Sequence, residues 1–156
     1  MMKLSRKQLG SFSAVLLFVF LSWFLGHVFD YDEVSHLDEY AELLGERFTL
    51  VDKVVAVGVT MDQNYHGDAD RIYLKEFGSS GPQVKFRRSI ADGVLEIVGV
   101  HQEKWFIGAG IYYRVKHKGA QKVPELPIYV HIPGPVNSDN LGLDEALYQR
   151  IQIADS

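Results

Sequence analysis

A mainly β domain behind one membrane-crossing helix is the fold this sequence predicts, on three observations. Residues Phe12 to Phe29 form a single apolar run. From Phe48 onward, short β-branched and aromatic runs alternate with glycine, proline, asparagine and aspartate, the punctuation of antiparallel sheet. The chain has no cysteine, which excludes disulfides, thiol catalysis and cysteine-ligated metals, so packing must hold the fold.

The apolar run comes first. Its eighteen positions span ~27 Å as a helix, close to the hydrocarbon thickness of a bilayer. Its exit, Trp23 to Phe29, has no Ala-x-Ala-like triplet for signal peptidase, so the run reads as a retained signal anchor. Lys3, Arg6 and Lys7 precede it and Asp30, Asp32 and Glu33 follow. This asymmetry predicts a cytoplasmic N-terminus (residues 1–11), a transmembrane helix (12–29) in the inner membrane, and an exported, periplasmic remainder. Gly10, Ser13, Ser22 and Gly26 give small residues at three- and four-residue spacing, a face on which such helices associate into oligomers.

Residues 30–46 are expected to form a juxtamembrane helical linker. Ser35-His36-Leu37-Asp38 resembles a capping box, Leu37, Tyr40, Ala41 and Leu44 share one helical face, and Gly45 ends the segment. Residues 47–156 are expected to form the exported β-domain. Its strands are placed at Phe48 to Val51, Val54 to Met61, Arg71 to Phe77, Val84 to Ile90, Val94 to His101, Phe106 to Lys116 and Leu126 to Ile132. Alternation is clearest in Ile111, Tyr113 and Val115 against Tyr112, Arg114 and Lys116, which predicts one buried face. Val94 to Val100 is apolar on both faces and reads as a central strand, with Gly99 permitting a bend. Gly108-Ala109-Gly110 suggests a bulge, and Leu143, Leu147 and Ile151 a closing C-terminal helix.

The Ser80-Gly81-Pro82-Gln83-Val84 turn, the run Ala91 to Val100 and the strand Tyr112-Tyr113-Arg114-Val115 resemble, in this order, small SH3-like β-barrel domains of uncharacterised bacterial envelope-anchored proteins. The resemblance covers Gly45 to Ile132. It implies a small antiparallel SH3-like barrel or sandwich with short flanking helices. Where lipidated members of that group carry an acylated cysteine, this chain has its apolar run.

Charge narrows the partners. From residue 31 onward there are 13 basic and 19 acidic residues, a balance that argues against nucleic acid. The densest polar stretch, Asp62 to Asp70, offers Asp62, Asn64, His66, Asp68 and Asp70 at alternate positions, with Gly67 sixth, like a calcium loop. His66 stands at position five and Tyr73 at position twelve, where a bidentate glutamate belongs. The stretch therefore reads as a hairpin loop whose carboxylates bond their own backbone, and neither metal nor cofactor is expected. No Gly-x-Ser-x-Gly elbow, phosphate loop or paired-carboxylate pattern marks an enzyme.

Surfaces remain. Lys85, Arg87 and Arg88 on one strand and Arg114, Lys116 and Lys118 on another are candidates for a basic ridge. Trp105, Tyr112 and Tyr129 are candidates for an aromatic platform taking a sugar ring or a peptide. The expectation is a membrane-anchored, non-enzymatic module that binds a protein or a cell-wall component. The alternatives are a periplasmic immunity or inhibitor protein acting through Asp62 to Asp70, and a cell-wall hydrolase whose site only the fold assembles.

Overall fold

The computed structural model describes residues 31–75, 80–103, 110–134, 136 and 141–151. The apolar run, Trp105 and the Gly108-Ala109 pair lie outside the described residues. No helix among the described residues is long and apolar enough to cross a membrane.

The described chain is mainly β, with one mixed sheet. Its strands are β1 (Tyr31–Glu33), β2 (Arg47–Leu50), β3 (Val54–Val59), β4 (Arg71–Lys75), β5 (Val84–Ile90), β6 (Val94–Glu103), β7 (Ile111–Lys118), β8 (Ile128–Ile132) and β9 (Tyr148–Arg150). They run in the order β5-β3-β4-β8-β7-β6-β2-β9, with β1 beside the far half of β6. Each of the seven expected strands has a counterpart among the described residues, while the Phe106 end of the sixth and the Phe77 end of the third lie outside them. β6 is central, flanked by β7 on one side and by β2 and then β1 on the other.

Flat, the eight strands of that order would spread over about 34 Å at ~4.8 Å per strand. Phe48, Ala56, Leu74, Ile90, Leu95, Ile97, Tyr113, Val130 and Tyr148, drawn from β2 through β9, nevertheless meet in one hydrophobic cluster. The sheet therefore curls so that one face encloses the core. Gly58 helps, because a side chain there would collide with the Phe86 ring lying across β3. The register slips between Ile97 and Gly99, a bulge at the place where the sequence suggested a bend.

Several expectations are corrected. The sheet is mixed rather than antiparallel, because β4 and β8 pair in parallel, Tyr73 opposite Tyr129. The expected linker is partly sheet: β1 pairs with β6, Glu33 opposite His101. Among its described residues only Asp38–Ala41 (α1) is helical. Ser35 does not cap that helix; its Oγ accepts the Val100 N–H at 2.8 Å, bonding the chain to β6. One helical turn is too short to carry a 3.6-residue face, so Leu43 is the buried residue while Leu37 and Leu44 are exposed.

Among the described residues the expected closing C-terminal helix does not form either. Asp144 instead folds a turn, its carboxylate accepting from Ala146 N–H and its carbonyl from Leu147 and Tyr148 N–H. The chain then extends as β9 and pairs with β2. Edge pairing and burial of Leu147 and Tyr148 outweighed the helical spacing of the leucines.

Candidate functional site

The face of the sheet turned away from the core carries a different chemistry. Strand alternation puts Arg71, Tyr73 and Lys75 of β4, Tyr129 and His131 of β8, and Tyr112, Arg114 and Lys116 of β7 on it. The bulge in β6 shifts the parity of that strand, adding Gly99 and His101. Register lines these groups up in rows. Arg87, Val57, Tyr73, Tyr129, Arg114 and Gly99 are successive neighbours across six strands. His131, Tyr112, His101 and Glu33 form a second row beside the first.

The rings make a continuous surface. Tyr73 lies 5.9 Å from Tyr112 and 5.7 Å from Tyr129; His101 meets Tyr129 edge-on at 5.3 Å, and Tyr112 lies 5.2 Å from His131. Cations sit on it: the Arg71 guanidinium is 5.9 Å from the Tyr129 centroid and the Lys75 ammonium 5.6 Å from that of Tyr73. Val57, fully buried yet outside the main core, floors the β3 part of the face. Burial pushes the Tyr129 phenol above its ordinary range, so it stays a neutral donor at physiological pH.

His101 is the most enclosed polar group of the face. It is 9% exposed, and its Nε2 has no hydrogen-bond partner. Burial and, secondarily, the Arg114 charge lower its pKa; Glu33 opposes that shift and Arg71 adds to it. Glu33 is held below its ordinary value first by a hydrogen bond from Ser35, with the His101 and Arg114 fields contributing. The Arg114 guanidinium forms no hydrogen bond or ion pair among the described residues, whereas Arg71 Nε pairs with Asp70 at 2.9 Å.

The sequence candidates divide accordingly. Tyr112, Tyr129, Arg114 and Arg87 belong to this face, and Lys116 flanks it opposite Glu96. Lys85 turns to the neighbouring loop, its Nζ donating to the Tyr65 carbonyl at 2.6 Å. The two strands of the candidate basic ridge are not adjacent. Three strands, β3, β4 and β8, lie between β5 and β7. Arg88 donates to the Lys122 carbonyl and Lys118 pairs with Glu96. Arg71, Tyr73, Lys75, His101 and His131 were missed, although the alternation of Arg71, Tyr73 and Lys75 against Ile72 and Leu74 carried the signal for three of them.

The loop Asp62 to Asp70 is folded on itself. Asp62 Oδ2 accepts the His66 N–H at 2.8 Å, and such backbone bonds lower the Asp62 pKa. Asp70 accepts the Met61 N–H at 2.7 Å and pairs with Arg71. Among the described residues no three His, Asp or Glu side chains assemble into a metal site. Comparison with protein families, curated proteins and solved structures returns no match.

Proposed function

We propose that the chain is a non-enzymatic interaction module of the cell envelope, in which an SH3-like barrel binds a cell-wall component or protein through the outer face of β4, β8, β7 and β6. Phe12 to Phe29 would tether it to the inner membrane with the N-terminus in the cytoplasm and the domain outside. The observation that carries this reading is the row of Tyr73, Tyr129 and Arg114, flanked by Tyr112 and His101, on the sheet face opposite the core. Ring surface next to cations and hydroxyl donors is suited to recognition, and it costs a sheet nothing in core packing. An inhibitor role for Asp62 to Asp70 has less support, since Asp62 and Asp70 spend their carboxylates on loop backbone and Arg71.

Two experiments test the proposal. Full-length protein in mild detergent should sediment with isolated cell-wall sacculi, or capture one stoichiometric protein, and a Tyr129→Ala/Arg114→Gln double variant should do neither. Unchanged capture by that variant would remove the face from the function. Because the chain has no cysteine, Ala120→Cys, at an exposed turn, reports orientation. Labelling of intact spheroplasts by a membrane-impermeant maleimide is the expected result; labelling only after lysis would place the domain inside.

A further inference from the structure

Three features of the outer face converge on one point. Gly99 has no side chain, and a Cβ built on it would lie 3.4 Å from both His101 Nε2 and Arg114 Nε. Of these two nitrogens, the first is nine-tenths buried without a hydrogen-bond partner and the second has neither hydrogen bond nor ion pair among the described residues; with the imidazole proton on Nε2, both are donors. Leaving the His101 nitrogen unmatched inside a folded protein is costly, and an ionised acceptor between it and the half-buried Arg114 would satisfy both. Arg71 adds positive potential from the β4 side, acting on both His101 and Tyr129. Glu33, the carboxylate facing His101 from β1, is engaged by Ser35.

Resting on the reading of this face as the binding surface, we infer that its ligand is an acidic saccharide, one carboxylate of which is held between Arg114 and His101 above Gly99. The rings beside that point decide for a sugar over an acidic polypeptide. Tyr129 lies edge-on to His101, and Tyr73 and Tyr112 follow within 6 Å steps, so a carboxylate bound there sets its own pyranose ring against aromatic surface. A chain of aspartates or glutamates would find cations on this face, Arg71, Lys75 and Arg114 among them, but would gain little from its tyrosine rings.

The test uses full-length protein in nanodiscs and three probes: an oligogalacturonate, its methyl ester with the same rings and no charge, and poly-L-glutamate with the charge and no rings. The oligogalacturonate should bind about tenfold or more tighter than its methyl ester, the size expected for one charge-assisted contact, and tighter than poly-L-glutamate by what the rings contribute. Arg114→Gln should lose about tenfold in affinity. Gly99→Ala fills the convergence point without deleting a donor, and its 3.4 Å contacts are ordinary ones, so it should keep its melting temperature and lose as much affinity. Arg88→Gln, bonded away from the face, should change nothing and serves as control.

Equal binding of the methyl ester, or wild-type affinity in Gly99→Ala, overturns the carboxylate pocket. Equal or tighter binding of poly-L-glutamate overturns the sugar in favour of an acidic protein, and binding of no probe overturns both. If sacculi are still sedimented when the pocket fails, only this inference falls. If neither sacculi nor a protein is captured, the wider reading falls with it.

Discussion

Tyr112 and Tyr113 are neighbours on β7 and belong to two different molecules, physically speaking. Tyr113 points into the core, is fully buried, and spends its hydroxyl on the Leu141 carbonyl at 2.7 Å. Tyr112 points outward and joins a ring system with Tyr73 and His131. The inner face gathers Phe48, Ile72, Leu95, Ile97 and Val130 into one cluster, while the outer face gathers arginines, tyrosines and histidines. A strand's period of two allows the same eight residues to supply stability on one side and recognition on the other. Substitutions on the two faces should therefore separate folding from binding.

The sharpest break of that separation comes from the core. Leu95→Ala, at a site with no exposure, should lower unfolding free energy by about 2–5 kcal/mol in urea titrations, through lost burial and a residual cavity. Tyr113→Phe keeps the ring and removes only its hydrogen bond to Leu141; a loss of about 1 kcal/mol is expected in the same titration. Either result near zero would mean that the inner face is not the seat of stability.

His101 is the buried polar group of the outer face. Its imidazole is held below its ordinary value of 6.5 by burial first and then by Arg114, with Arg71 adding and Glu33 opposing. The unfolded chain therefore takes up its proton at higher pH than the folded one. Stability from this group is complete above about pH 6.5 and declines as the pH falls from there toward the lowered folded value. Melting temperatures compared at about pH 7.5 and about pH 5.5 should show this loss in the wild type and a flatter profile in His101→Gln. The smallest expected effect on stability is that of Tyr129→Ala, under about 1 kcal/mol if the outer face contributes little to folding, although ligand capture should suffer. A loss as large as that of Leu95→Ala would join the two faces into one.

The strands were legible because most of them bury a single face. Ile111, Tyr113 and Val115 alternate with polar neighbours so cleanly that β7 could be placed from spacing alone, and with it Tyr112 and Arg114 as outward groups. The parallel pairing of β4 with β8 was not legible, since alternation states which side chains share a face and is silent on which strand lies alongside. That pairing brings Tyr73 beside Tyr129, so the centre of the candidate site depends on a contact between strands more than fifty residues apart. His101 was hidden for a local reason: the bulge at Val98 shifts the parity of β6, turning outward a residue that simple counting from Leu95 and Ile97 would bury. Leu143, Leu147 and Ile151 misled because four-residue spacing is equally compatible with a turn followed by an edge strand.

The partnership of β2 with β9 sets a schedule for synthesis. Phe48 and Leu50 emerge from the ribosome about 100 residues before Tyr148 and Arg150, their neighbours in the finished sheet. At ~5–20 residues per second the wait is roughly 5 to 20 s, during which β2 has an unsatisfied edge and Phe48 lacks the Tyr148 ring that meets it edge-on. A nascent chain in that condition needs protection from its neighbours, and a message cut short before the Tyr148 codon should yield aggregate rather than a smaller domain.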